Sequence, residues 1–466
     1  MLSRILLFCF FSVLLQAQEN TFQSVLYKSS DYKNNNLFVN LSEDNKRLIV
    51  GSRFFCIGSS SREGYTNTYM LGAGLLTEIN DKLSIVAYGD YLLGDHNYMI
   101  SQYQDSLNVF PGFGNGNRRF QFNIKYKINN FITTDVGNGR HFIGDGYRSL
   151  LLSSEHAPYL YVSLTTEFGR IKYYNLYTTF INENMIDIGR KKHSTIHYLD
   201  FAITKKIHVG LFESILWQSK SEGVSSGYEL AYLNPVIFYR PVEFSKNSSK
   251  GNALMGATLK VLLKNTTFYS QFMIDDLNIA RRKDSDDNYQ SGFFQNKFAF
   301  QFGIKTRIKD FNILTEYNQA QPYAYGHRTI LQNYSHMNQA LAHPLGANFK
   351  EIIVIANYEK ENWKFILKNT FARVGLDSLT THYGQNIFLS DLDASTGGQH
   401  SYGNFNGQGV LTTINTSFAE VSYSFRWFDV FSSVYYKKQK SDLLDQTSLF
   451  YSVGLRNFPF YTFKDY

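Results

Sequence analysis

Three arginines, Arg140, Arg148 and Arg240, stand beside carboxylates and aromatic rings in two apolar stretches of this chain. The first, residues 137–157, reads GNGRHFIGDGYRSLLLSSEHA; the second, within residues 219–252, contains YLNPVIFYRPVEF. Planar guanidinium donors, carboxylates such as Asp145 and Glu243, and aromatic faces such as Tyr239 are the groups that hold sugars. Charge-assisted hydrogen bonds from the arginines would favour acidic ones. A third apolar stretch, residues 321–350, contains YSHMNQALAHPLGANFK and adds His336, Asn338 and His343 to this set, which His141 completes.

Other chemistry is poorly supported. A general base is conceivable at His336 or His343, but no Ser or carboxylate stands at a spacing that identifies a triad. Histidines bonding loop backbone are the simpler reading. His193 and His197 have the i, i+4 spacing of a helical zinc pair. In a strand, however, four residues at about 3.3 Å each set them roughly 13 Å apart, too far to share a metal. Gly112-Phe113-Gly114-Asn115-Gly116 lacks the Lys and helix of a phosphate loop. The expectation is a non-enzymatic protein without catalytic residues, metal or cofactor.

The elements that must position these loops are strands. Apolar and polar residues alternate along most of the chain: Phe298, Phe300, Phe302, Ile304 and Ile308 share one face, with Gln301, Lys305 and Arg307 between them. Short turns break the pattern at Asn80-Asp81, Asn129-Asn130, Gly169-Arg170, Lys205-Lys206, Lys264-Asn265, Lys309-Asp310, Glu361-Asn362 and Phe428-Asp429. Eight turns give sixteen strands. One more near residues 49–57 and another near 449–455 bring the total to about eighteen, an even number as outer-membrane barrels require. Both ends then fall on the short-turn, periplasmic side and the long connections on the outer side.

A soluble β-sandwich would alternate too. The 34 Tyr and 40 Phe beside only 7 Pro suit aromatic girdles at two membrane interfaces. A mean hydropathy of −0.28 and the lack of about 18 consecutive apolar residues exclude a helical membrane bundle. A closed barrel is the remaining way to span a bilayer. The expected fold is thus an all-β transmembrane antiparallel barrel with long outer loops folded into or over the lumen. Residues 1–18 read as a secretory signal, with Arg4 before an apolar run and cleavage near Ala17. Residues 19–47 read as a periplasmic lead and 48–466 as the barrel. After signal removal Cys56 is the one cysteine left, too few for an internal disulfide. The formal charge of +7 is scattered rather than gathered in a patch, which argues against nucleic acid.

Apolar runs such as Leu150-Leu151-Leu152 and Val236-Ile237-Phe238 would not stay exposed to water, so the three apolar loops should fold against each other or into the barrel mouth. Residues 276–295 and 377–409 are polar and read as solvated outer loops.

The stretches GNGRHFIGDGYRSLLLSSEHAPYLYVSL and YLNPVIFYRPVEF resemble the Wzi-like capsule-assembly outer-membrane barrels, particularly their RemB-type gliding-motility relatives. That resemblance implies an eighteen-stranded barrel that holds capsular or other surface polysaccharide in a lectin-like way. It also implies partners in outer-membrane lipid and cell-surface assembly or motility proteins. The alternative is a passive porin for small anionic solutes, lined by Lys125, Lys127, Lys305, Arg307 and Arg426.

Overall fold

The computed structural model describes residues 22–24, 37–43, 46–95, 113, 116–182, 191–221, 224–225, 230–234, 251–277, 292–378, 381–391 and 402–457. Its frame is a succession of strands: β1 (Lys46–Ser61), β2 (Gly64–Asn80), β3 (Leu83–Gly94), β4 (Arg118–Lys127), β5 (Ile132–Gly139), β6 (Tyr159–Phe168), β7 (Ile171–Ile181), β8 (Lys191–Ala202), β9 (Ile207–Gln218), β10 (Asn252–Leu262), β11 (Thr266–Asp276), β12 (Lys297–Ile308), β13 (Phe311–Ala320), β14 (Phe349–Lys360), β15 (Trp363–Leu376), β16 (Val410–Ser424), β17 (Asp429–Lys440) and β18 (Asp445–Arg456). Each pairs antiparallel with its neighbour in the chain. β18 returns to β1, setting Tyr451 opposite Ser60 and Arg456 opposite Phe55, and this closes an eighteen-stranded barrel. Closure leaves no open edge inside lipid, where no water could satisfy one.

The two-residue period decides which way each side chain faces. On β12 the outward Phe302 is 59% exposed and the inward Gln301 is 0% exposed, so the apolar face meets lipid and the polar face meets the interior, as the sequence pattern requires. No helix among the described residues is long and apolar enough to cross a membrane. The chain is an outer-membrane β-barrel.

The short turns lie where the sequence places them, to within a residue or two. Gly169-Arg170, Lys309-Asp310 and Glu361-Asn362 join their strands directly, with Gly169 (φ 59°), Lys309 (φ 55°) and Glu361 (φ 54°) in the left-handed region that two-residue hairpins use. At two other turns Asn caps the bend. Asn80 Oδ1 accepts from the backbone N–H of Lys82 and Leu83, and Asn129 Oδ1 from Phe131 and Ile132. Phe428-Asp429 is one residue late, because the turn is residues 425–428 and Asp429 already pairs with Ser424. Around this rim lies an outward aromatic girdle, with Phe311 against Tyr358 (ring centroids 4.7 Å apart) and Trp363 against Tyr423 (4.9 Å).

Within the stretch read as a lead segment, two short strands occur. Leu37–Glu43 pairs with Lys46–Gly51 of β1, taking the part of that edge β18 does not reach. Phe22–Ser24 pairs with His141–Ile143, beyond β5.

Two of the apolar loops enter the lumen as expected. Leu150, Leu151, Leu152, Tyr325, Tyr334, Leu341 and Ala342 form one buried cluster with the inward Tyr198, Phe212, Leu254 and Met273. The other loop behaves differently: its described turn, Leu230–Leu233, lies on the outer wall. Tyr232 packs against the outward Trp217 with ring centroids 4.8 Å apart, its carbonyl accepts from Thr195, and the Leu233 carbonyl accepts from Tyr177. Beneath it the outward wall is polar, with Tyr173 and His197 2.8 Å apart and Asn175, His197 and Glu213 buried. Such groups cannot face hydrocarbon bare, and the described turn lies against this same wall. Val236-Ile237-Phe238 lie outside the described residues.

The in-and-out assignment is testable. Phe302→Arg places a cation against lipid and is expected to destabilise the barrel by about 2–4 kcal/mol, read from urea unfolding in lipid vesicles. An unchanged midpoint would reverse the facing of β12.

Candidate functional site

The interior has two halves. On the outer side, residues 140–158 and 321–348 fill the lumen as a plug, and barrel side chains satisfy the backbone they bring in. Glu316 of β13 is the central anchor. Its carboxylate accepts from the N–H of Tyr147 (2.7 Å) and Arg148 (3.0 Å), from Tyr269 Oη (2.7 Å) and from Asn318 Nδ2 (2.8 Å). Gln271 of β11 accepts from Leu150 N and donates to the Ile143 carbonyl, while Gln301 of β12 donates to the Arg148 carbonyl. The ammonium of Lys192 on β8, 0% exposed, donates to the Asn333 carbonyl, Asn333 Oδ1 and Ser335 Oγ. Lys297 of β12 pairs with Asp391 at 2.7 Å, and Asp275 of β11 accepts from Tyr325 N. Buried backbone must be paired, and at these buried positions the inward polar residues are the partners.

The residues singled out as sugar contacts serve this plug. Arg140, half-buried, donates to the Ser154 carbonyl at 3.0 Å. His141 shares a 3.0 Å hydrogen bond with Tyr159 Oη. Asp145 pairs with Lys260 at 2.7 Å. The Arg148 guanidinium lies 3.8 Å from Glu351 and covers the Tyr147 ring. His343 donates from Nε2 to Glu351 at 2.7 Å while its Nδ1 accepts from Leu345 N. Asn338, with Met337, takes a left-handed φ at the turn joining His336 to Gln339. Of these, all but Arg140 are buried. Tyr239, Arg240 and Glu243 lie outside the described residues. His193 and His197 lie on the outer wall, and no cluster of metal-ligating side chains occurs among the described residues.

Three histidines surround Tyr159. The rings of His141, His156 and His336 lie 5.7, 5.3 and 5.8 Å from its own. His336 is held as one neutral tautomer: Nδ1 accepts from Ile181 N, and Nε2–H donates to the Pro158 carbonyl. Burial pushes all three down, His141 and His336 to about 3 and His156 to about 4. Facing them are Arg140, Lys192, Tyr161 and Tyr334, and none of these offers a negative charge to an imidazolium.

On the periplasmic side of the plug several inward side chains of the barrel stay exposed. The tip of the first loop reaches this region at Tyr147, whose Oη accepts from Lys368 of β15 at 3.0 Å. Inward Lys125 and Lys127 of β4 and Arg307 of β12 are exposed; Lys305 of β12 and Lys364 of β15 are half-buried. Several inward carboxylates are matched: Glu167 by Lys172 (2.8 Å), Glu420 by Arg456 (2.5 Å), Asp145 by Lys260. None of Lys125, Lys127, Lys305 and Lys364 forms an ion pair with a described carboxylate, although Asp135 lies opposite Lys125 and Glu359 opposite Lys364 across the ladder. Arg426, expected among the lumen cations, instead sits exposed in the periplasmic turn over the Trp427 ring, because the strand ends at Ser424. Sequence reasoning placed Gln301 on the polar face but gave it no role, and it did not single out Glu316; the signal was a long polar side chain at an inward position beside a loop-rich lumen.

No family model matches the chain, and no curated protein matches it. Among solved structures it is similar to OprD of Pseudomonas aeruginosa (9% identity, TM-score 0.47, covering 93% of this chain and 98% of that one). OpdK of the same organism, solved with vanillate, matches at 8% identity and TM-score 0.47, covering 88% and 98%. OccAB2 of Acinetobacter baumannii matches at 9% and 0.46, covering 89% and 98%. The class that fold and interior define is an eighteen-stranded outer-membrane barrel with an inward-folded plug.

The expectation of a lectin-like polysaccharide holder is corrected here. The solved barrels that the chain matches are OprD and Occ proteins, and they lend no support to polysaccharide binding, capsule assembly or gliding motility. The physical reason lies in the plug, where the described sugar-contact residues are engaged with the chain itself. Sequence showed the right functional groups but not that the loop backbone would claim them.

Two outcomes follow. Glu316→Ala strands two backbone N–H groups and two side-chain donors, a loss of about 3–5 kcal/mol, and should raise protease cleavage within residues 140–158 while the strands stay protected. Acid should also loosen the plug. The closed form keeps three histidines neutral, so its stability is complete above about pH 6.5. It falls as pH drops toward 3, by about 1.4 kcal/mol per pH unit for each histidine. Cleavage at pH 4.5 should therefore exceed that at pH 7.5 under an acid-tolerant protease, and His336→Gln should reduce the difference by about a third.

Proposed function

We propose that this barrel is a passive, loop-constricted channel for small anionic solutes, non-enzymatic in action. The observation that carries the reading is the group of inward cations beneath the plug: Lys125, Lys127, Lys305 and Lys364 line the lumen there, and none is held in an ion pair by a described carboxylate. Low-dielectric walls focus such a field and raise the local concentration of anions. The plug sets the width of the path, so conductance should be small for a barrel of this circumference. Kinship with the Wzi-like barrels is proposed on residues 137–164 and 232–244 alone, without a polysaccharide role.

The test is single-channel recording in planar bilayers under a salt gradient. Wild-type protein should give small steady currents with a reversal potential on the anion side. Lys305→Glu combined with Lys364→Glu should move that potential toward cations. A barrel that is silent, or whose selectivity ignores both substitutions, overturns the reading.

A further inference from the structure

The outer wall carries a second cationic feature, facing away from the lumen. On the outward side of four consecutive strands, Lys350 of β14 lies directly opposite Arg373 of β15, Arg373 lies opposite Thr413 of β16, and Thr413 opposite Lys440 of β17. Lys438 lies two residues below Lys440, opposite Asn415. All four cations are exposed. The carboxylate in the row is Asp445, opposite Lys440, with Asp442 in the adjoining turn; neither is within ion-pair distance of a cation.

Depth makes the row unusual. Arg373 stands ten residues beyond Trp363 of the periplasmic girdle on the same strand. At about 3.3 Å per residue and a tilt near 40°, that is roughly 25 Å, the height of the apolar band. The row therefore meets the bilayer where outer-leaflet headgroups begin. Directly opposed like charges destabilise a strand pair, and Lys350 and Arg373 are such a pair, with Cβ atoms about 5 Å apart. An anion seated between them would remove the repulsion. Below, Asn369 donates to Asn415 Oδ1 and Ser417 Oγ, so the site has polar groups on its lipid side as well.

We propose that Lys350, Arg373, Lys438 and Lys440 form a binding site for the phosphate of a phosphorylated lipid headgroup in the outer leaflet. Arg373 supplies a planar fork suited to phosphate, the lysines supply point charges, and acyl chains lie down the wall over Phe371 and Ile352, the outward neighbours one step below.

The experiment is native mass spectrometry of the detergent-folded barrel titrated with a diphosphorylated glucosamine lipid, its dephosphorylated form, and inorganic phosphate. Wild-type protein should retain the phosphorylated lipid and not the dephosphorylated one, and millimolar phosphate should compete only weakly. Lys350→Gln with Arg373→Gln should weaken binding roughly thirtyfold, at about 1 kcal/mol per cation. Heat-modifiable mobility on a gel would show that the variant still folds. Equal retention of both lipids, full competition by free phosphate, or unchanged binding by the folded variant would each overturn the proposal. Neither current nor selectivity enters this readout, so it stands or falls apart from the channel reading.

Discussion

Glu316 brings four donors from three directions onto one carboxylate: two backbone N–H groups of the plug, a phenol from β11 and an amide from its own strand. Everything inside the barrel depends on arrangements of this kind. A loop that leaves water for a closed lumen carries its peptide groups with it, and each needs a partner. The barrel wall supplies them from inward positions, so the polar lining acts as scaffold for the plug in one half and stays partly exposed in the other. Gly303 shows how tightly the two fit. Tyr269 lies against it, leaving no room for a Cβ, and from there reaches Glu316.

Much of this was legible in the sequence. Period-two alternation around Phe302 and Gln301 gave facing, and residues able to take a left-handed φ or cap a bend gave the turns. Apolar runs such as Leu150-Leu151-Leu152 gave burial of the loops, because water would not tolerate them. What could not be read was the destination of a polar side chain. Arg148 and Asp145 have the chemistry of a sugar site, and their partners Glu351 and Lys260 lie far along the chain. Only the register of a closed barrel brings them together. The loop holding Tyr232 was equally opaque, since its apolar content suits the lumen and the outer wall alike. The buried His197 and Glu213 decide the matter, and they sit on outward positions that local pattern alone would assign to lipid.

The barrel is consequently uneven around its circumference. The wall from β7 to β10 is backed by the chain's own loop, the wall from β12 to β15 presents aromatic and aliphatic side chains to lipid, and the rim from β14 to β17 is basic. Inside, Arg53 and Arg119 share Asp90, with Arg53 stacked on Tyr88 at 4.3 Å. This cluster braces β1, β3 and β4.

The seam between β18 and β1 joins Ser452 to Ser59 across 393 positions of chain. Closure entropy grows only logarithmically with length, so this seam costs about 2 kcal/mol more than one spanning fifty residues. Distance in sequence is thus a small thermodynamic burden, but it imposes an order in time. Until the last strand exists, one edge of β1 has no permanent partner, and an open edge is not tolerated in hydrocarbon. Leu37–Glu43 covers part of that edge from the same end of the chain. A strand that can pair with β1 before β18 arrives would shield part of that edge while the sheet is still open.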